Sequence, residues 1–489
     1  MNLWSRPAGI AEVMRLALPL MISTGCLTLT LFSDRTLLLW YGEREMAASM
    51  AGGNLFWSLI CFPIGIVSMT SAMVAQYVGS SRPHQIGRLM WQATWLSLII
   101  SPVMWLLIPV AGNIFVATGQ ADALIPLETI YLQWLLVGAG GTVLESALAG
   151  FFSGTERTHV VMWVNIVASV LNLVLDVILI FGLAGIPELG IAGAGIASSL
   201  SFWTKAAIYF LLMLRSDNAR LYGIASGVCF DRKLIGRLLF FGVPAGLQYL
   251  AESGGFAMIV LQIGQVGSEA LAATAMAINF NMAAFVPLVG VSIAASVLVG
   301  RHLTESGATL AARGAISAVL LGVCYSGVWA GAYLLIPDTL LSLYLVGSQT
   351  EEVQSTVNAA RILLRFVAIY CMFDAAQLIF GGALRGAGDT WFVLFSSLSV
   401  AIIWAVIGIS GERYANNILH WWWWMLTGWV MSLAAAMIGR FVQEIGGTNA
   451  WLNQRHKVSG RSVVEHSSIE LSRPSIRVTV RRSSNNDIQ

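Results

Sequence analysis

The strongest constraint on this chain is a succession of apolar stretches, each about 20 residues or longer, broken only by short polar punctuation. They fall near residues 13–36, 47–78, 89–111, 128–152, 160–183 and 190–214, then 236–263, 271–299, 311–336, 356–384, 391–410 and 419–441. A segment of that length and polarity satisfies its backbone within lipid only as a helix, so twelve transmembrane helices are expected. Composition agrees. Of 489 residues, 57% are hydrophobic and 11% charged, with mean hydropathy +0.75, whereas soluble domains carry roughly 25% charged residues. The first apolar stretch runs past Leu31 without a small-residue cleavage site, so it reads as a retained span.

A net charge of +2, with basic residues in short loops rather than in an aromatic-laced stripe, argues against a nucleic-acid partner and leaves the lipid bilayer as the main solvent. The five cysteines, Cys26, Cys61, Cys229, Cys324 and Cys371, lack any metal or redox spacing and read as small core hydrophobes. No HExxH or DDxxD-type cluster is present, so an intramembrane protease or prenyl transferase, or any enzyme, is not expected. No cofactor or permanent metal is expected either.

Basic residues gather on alternate loops, among them Arg82, Arg88, Arg157, Arg215, Arg232, Arg301 and Arg385. The positive-inside rule puts both termini in the cytoplasm, and a plasma (cell inner) membrane is the expected location. An internal repeat accompanies this: Pro19 to Gly42 and Pro244 to Gly267 are both 23 residues apart, FPIGIVS (Phe62 to Ser68) answers VPLVGVS (Val286 to Ser292), and GFFSGTERT (Gly150 to Thr158) answers GALRGAGDT (Gly382 to Thr390). The expected fold is an all-α polytopic membrane protein with two pseudo-symmetric six-helix lobes. Residues 1–12 form the cytoplasmic N-terminus, 13–214 the N-lobe, 215–235 a cytoplasmic linker, 236–441 the C-lobe and 442–489 a disordered cytoplasmic tail. Parallel repeats of this kind hold substrate between the halves near the midplane.

Ionisable groups inside spans are costly and mark ion paths. Four stand out: Asp34, Asp176, Glu252 and Asp374. Asn172 and Asp176 lie four residues apart on one helical face, where a carboxylate and an amide carbonyl suit a hard cation or a shared proton. Tyr370 and Asp374 repeat that spacing, and Gln377 extends the polar face. Trp421 to Trp424 read as an interfacial aromatic belt, and Gly190, Gly193 and Gly195 as close helix packing.

The pattern resembles the multidrug and toxic compound extrusion (MATE) transporters, in detail the bacterial NorM-type branch. The resemblance covers about residues 10–441 and is carried by LALP (Leu16 to Pro19) with Asp34 following, AQYVG (Ala75 to Gly79), NLVLD (Asn172 to Asp176), GIAGAGIAS (Gly190 to Ser198), VPAGLQYLAE (Val243 to Glu252) and GALRGAGDT. It implies an N-lobe cation or proton site of Asp34, Asn172, Asp176 and Ser198, and a C-lobe cation site of Glu252, Tyr370 and Asp374. It further implies an antiporter exporting amphipathic, cationic organic compounds against inward Na+ or H+, working as a monomer. A lipid-linked precursor flippase of the same superfamily is the alternative. Lys205, two turns beyond Ser198, departs from the pattern. It is expected to snorkel to the cytoplasmic face, the other reading being an internal counter-charge.

Overall fold

The structure is a computed structural model describing residues 6–183, 185–225, 227–345 and 351–446. Twelve of its helices are long and apolar enough to span a membrane. We label them α1 (Ile10–Tyr41), α2 (Glu43–Gly79), α3 (His84–Trp105), α4 (Ile125–Gly154), α5 (Thr158–Phe181), α6 (Ile191–Leu214), α7 (Arg232–Val266), α8 (Ser268–Glu305), α9 (Ala308–Leu335), α10 (Glu351–Ala387), α11 (Thr390–Gly411) and α12 (Ile418–Gly446). The chain is therefore an all-α polytopic membrane protein. Most helices outrun the apolar stretches, because helical hydrogen bonding continues into the polar flanks that hydropathy discards.

Packing divides the spans as the repeat implies. In the first lobe α2 packs on α4, α4 on α6, and α1 on α5; in the second, α8 packs on α10, α10 on α12, and α7 on α11. Internal prolines recur at equivalent places, Pro19 and Pro244 in α1 and α7, Pro63 and Pro287 in α2 and α8. Each removes a backbone donor, a defect that membrane helices tolerate where neighbours pack around it. The lobes meet through α1 with α8, α2 with α7, and α2 with α8.

That meeting is one-sided. The face carrying the start of α1 and the ends of α2 and α8, the basic face, holds one continuous apolar core built from both lobes, with Leu16, Leu20 and Val67 beside Leu238, Val291 and Leu298. Toward the opposite face each lobe keeps a core of its own, around Leu132 and Leu136 in one and Leu363 and Trp423 in the other. Polar contacts reinforce the basic-face seam: His302 Nε2 meets Glu12 Oε1 at 3.1 Å, Arg301 pairs with Glu156, and Gln76 Nε2 donates to the Gly386 carbonyl at 2.9 Å. Backbones touch there too. A Cβ on Gly65 would stand 2.4 Å from Gly246 Cα, and one on Gly290 2.6 Å from the Leu20 carbonyl carbon.

The inter-lobe linker is tied to the first lobe. Asp231 caps α7 by accepting from Lys233 N and Leu234 N, and its other oxygen pairs with Arg88 of α3 at 2.6 Å. Trp91 Nε1 and Gln92 Nε2 donate to linker carbonyls at Ile224 and Cys229. The tail expected to be disordered lies outside the described residues beyond Gly446, and α12 itself extends past 441.

Two expectations are corrected. The Trp421–Trp424 run is not an aromatic belt: Trp422 and Trp423 are wholly buried in the second lobe's core, where Trp423 Nε1 donates to Thr274 Oγ1 at 3.2 Å, and Trp424 alone is strongly exposed. Consecutive helical residues point about 100° apart, so four in a row cannot share a lipid-facing side. Lys205 does not snorkel. It is buried and forms an ion pair with Glu145 of α4 at 2.9 Å, with Phe202's ring 5.2 Å from its ammonium.

Candidate ion-coupling sites

In the first lobe, α5 presents Asn165, Ser169, Asn172 and Asp176 along one face. The face is held against α6 because that helix starts on small residues: Gly190 has φ +53, and a Cβ on Gly193 would lie 2.6 Å from the Leu179 carbonyl. Only glycine meets both demands without strain. One turn later Ser198 is thereby aimed at α1, where its hydroxyl donates to Asp34 Oδ2 in a long contact of 3.5 Å.

The four expected N-lobe residues come together there. Asp34, Asn172, Asp176 and Ser198 are all buried, and the Asp34 and Asp176 carboxyls approach closely enough for their charges to interact. Two carboxylates are acceptors only, so a proton or a cation between them relieves that approach. Asp34 Oδ1, both Asp176 oxygens and both amide atoms of Asn172 have no protein partner. The four oxygens among these orphaned atoms form, in one buried spot, a ligand set suited to a hard cation or a shared proton.

Sequence reasoning missed two neighbours, Tyr131 and Glu145, the second being the partner of the Lys205 it had singled out. Tyr131, on α4, is buried close enough to Asp34 and Asp176 for their charges to act on its hydroxyl; a tyrosine among leucines gives no periodic signal. The Lys205–Glu145 pair borders the same cavity, which Thr30, Asp34, Asn172, Ser198 and Lys205 line. Below the carboxyls, Thr30 donates to Ser169 at 2.9 Å and Asn165 to the Tyr209 hydroxyl at 3.0 Å.

In the second lobe Glu252 of α7 accepts from Gln248 Nε2 at 2.9 Å and from Ser397 of α11 at 3.1 Å. Asp374 of α10 is buried close enough for its charge to act on Glu252, and Tyr370 is buried one turn before it. The three expected C-lobe residues thus share one region, with Glu252 and Asp374 approaching from different helices. Gln248, Ser397 and Arg385 were not foreseen as parts of it, although the i, i+4 spacing of Gln248 and Glu252 was legible.

Two six-helix lobes, each with buried carboxyls on facing helices and a seam closed on one face only, define a membrane transporter of the repeat-built class. A sequence profile of the MatE family matches residues 19–178 and 244–410, so the chain belongs to that family. Among curated relatives, the probable multidrug resistance protein NorM of Bradyrhizobium diazoefficiens is 30% identical over 385 residues, 78% of this chain and 82% of that protein. The NorM of Xanthomonas axonopodis pv. citri is 30% identical over 429 residues, covering 86% and 91%, and the multidrug resistance protein MdtK of Edwardsiella ictaluri 26% over 449, covering 90% and 91%. Solved structures share the fold: a MOP superfamily transporter from Pyrococcus furiosus (TM-score 0.80, 20% identity, 90% of this chain and 96% of that one) and the eukaryotic MATE transporter AtDTX14 (0.79, 17%, 92% and 98%). The chain is a NorM-type member of the family.

Proposed function

We propose that this protein is a cation-coupled antiporter that exports amphipathic, cationic organic compounds by alternating access, with Asp34, Asn172, Asp176 and Ser198 forming one coupling site and Glu252, Tyr370 and Asp374 the other. The observation that carries the reading is the buried approach of Asp34 and Asp176, with both Asp176 oxygens and one Asp34 oxygen left without a protein partner. A cation or proton satisfies them, and loss of that ion leaves two charges that repel each other inside a low-dielectric lobe. Ion arrival and departure therefore act as a switch on how α1, α5 and α6 pack. The relatives' names as multidrug resistance proteins support the organic substrate class. The Asn172 and Tyr370 oxygens favour sodium over a proton. One charge moving down 100 mV supplies about 2.3 kcal/mol. With its termini cytoplasmic in the plasma membrane and acting as a monomer, the protein is sealed on the cytoplasmic side in the conformation described above.

A flippase for lipid-linked precursors calls for a central cationic surface that holds a pyrophosphate, and the buried acids favour antiport instead. The deciding experiment is efflux of ethidium from proteoliposomes under an imposed sodium gradient or an imposed pH gradient, with the other clamped. Efflux under either gradient, abolished when both are collapsed, is the expected result. Efflux indifferent to both refutes the reading.

A further inference from the structure

We propose that Arg385 is a positioning residue for cation coupling in the C-lobe: through Gln248 it holds the Glu252 carboxylate and ties that carboxylate to the seam where the lobes meet. The inference rests on the coupling role just given to Glu252.

Arg385 belongs to the GALRGAGDT stretch and reads, in sequence, as one of the basic residues of a loop. Instead it sits inside α10, buried, near that helix's basic-face end. Its Nη1 donates to Gln248 Oε1 at 3.1 Å, its Nη2 to Ser292 Oγ of α8 at 3.3 Å, and its guanidinium lies 5.9 Å from the Tyr249 ring centroid. Gln248 spends its other end on Glu252, donating from Nε2 at 2.9 Å. The amide orientation follows from its neighbours. Flipped, it would point its NH2 at a guanidinium that only donates and its oxygen at a carboxylate that only accepts. The amide thus bridges a fixed cation and the coupling carboxylate, and its dipole is aligned by both.

The far end of the bridge touches the other lobe. The Gly386 carbonyl, one residue on, accepts from Gln76 Nε2 of α2 at 2.9 Å. There is little slack there: a Cβ on Gly386 would press on the Ser296 backbone of α8, and one on Gly300 would lie 3.2 Å from the carbonyl oxygens of both Gly386 and Ala72. Glu252 is faced from α10 by Arg385 and by Asp374, from α11 by Ser397 and from its own helix by Gln248. A cation arriving at Glu252 competes with the Gln248 N–H for carboxylate lone pairs. Loss of that hydrogen bond releases Glu252 from the amide that Arg385 orients.

The test compares wild type, Glu252→Gln, Gln248→Met, Arg385→Gln and Arg385→Lys in proteoliposomes, reading ethidium efflux against the concentration of the driving cation. Arg385→Gln and Gln248→Met are each expected to move the half-saturating cation concentration by about tenfold, because a charge-linked contact to the coupling carboxylate is lost. Arg385→Lys, keeping the charge, should return it to within about threefold. Unchanged half-saturation in Gln248→Met overturns the inference. So does Arg385→Gln lowering maximal rate alone, no better and no worse than Arg385→Lys, since that marks packing. If Arg385→Gln does not insert, Gln248→Met decides by itself, because it keeps both charges and nearly the same volume. Wild-type coupling in Glu252→Gln defeats the C-lobe coupling reading itself, and is told apart by that variant alone.

Discussion

Asp176→Asn replaces one of two facing buried carboxyls with a neutral group of the same shape. With Asp34 and Asp176 both buried and approaching each other, a sodium ion seated between them gains from each carboxylate roughly 4 kcal/mol at about 4 Å and an effective dielectric of 20. Removing one contribution of that size weakens cation affinity by about a thousandfold. It also removes the repulsion between the carboxyls, so thermal stability in detergent should hold or rise while coupling fails. Asp34→Asn should behave alike, and the double variant should be little worse than either single one, because both act through one ion. Asn172→Ala should weaken ion dependence more than Ser198→Ala: the Asn172 amide carbonyl is orphaned and available, whereas the Ser198 hydroxyl is engaged with Asp34. The assay is ethidium efflux against sodium concentration and pH for each variant in the same liposomes. Two single variants that keep most activity, with failure in the double alone, would show redundant sites and refute the single-ion argument.

Glu252→Gln and Asp374→Asn should each abolish gradient-driven efflux with normal membrane insertion; wild-type efflux from either removes that residue from the C-lobe site. Gly65→Ala places a Cβ 2.4 Å from Gly246 Cα and 2.9 Å from the Ala245 carbonyl, where only backbone can yield. Overpacking of about 1–3 kcal/mol should shift the conformational balance away from the basic-face seal by about 5- to 150-fold, and spin-label distances between the lobes' outer halves check it; an unchanged distribution shows the contact is not part of the switch. Lys205→Met strands the partly buried Glu145 and should lower the melting temperature, with Glu145→Gln on the same chain restoring most of the loss. No recovery in the double variant would mean that Lys205 acts by packing.

The sequence made the architecture legible because lipid leaves few choices: length and apolarity fix each span, and the Pro19/Pro244 and Pro63/Pro287 pairs exposed the duplication before any contact was known. Asn172 and Asp176 were legible for the same kind of reason, since helical geometry puts i and i+4 on one face without help from the rest of the fold. What stayed hidden depends on partners far along the chain. Lys205 has a stem long enough to reach either headgroups or a buried acid, and Glu145, sixty residues earlier, becomes its partner only once α4 and α6 pack. Tyr131 and Ser397 are equally silent until folding brings them to the N-lobe carboxyls and Glu252. Arg385 was in plain view but was assigned to a loop, because the glycines around it resemble loop punctuation. Those glycines in fact let α10 approach α8 closely: a Cβ on Gly382 would meet the Ser292 backbone.

The two lobes, alike in fold, balance their charges differently, and the difference has a consequence for where an ion is needed. In the first lobe the buried ammonium of Lys205 is neutralised directly by Glu145 at 2.9 Å, so it offers little to Asp34 and Asp176, and Arg35 acts only on Asp34, as a neighbouring charge. That pair must take its positive charge from outside the protein. In the second lobe Arg385 donates to an amide rather than to a carboxylate, and the amide passes that polarity to Glu252. The chain therefore supplies part of the counter-charge there itself. Under the coupling reading proposed above, the N-lobe pair is expected to hold a cation more tightly, and the C-lobe carboxylates to release theirs more readily. Sodium bound at low concentration should be lost with Asp176→Asn, and a weaker phase should remain until Asp374→Asn removes it too; a single phase abolished by Asp374→Asn alone would reverse the order of the two sites.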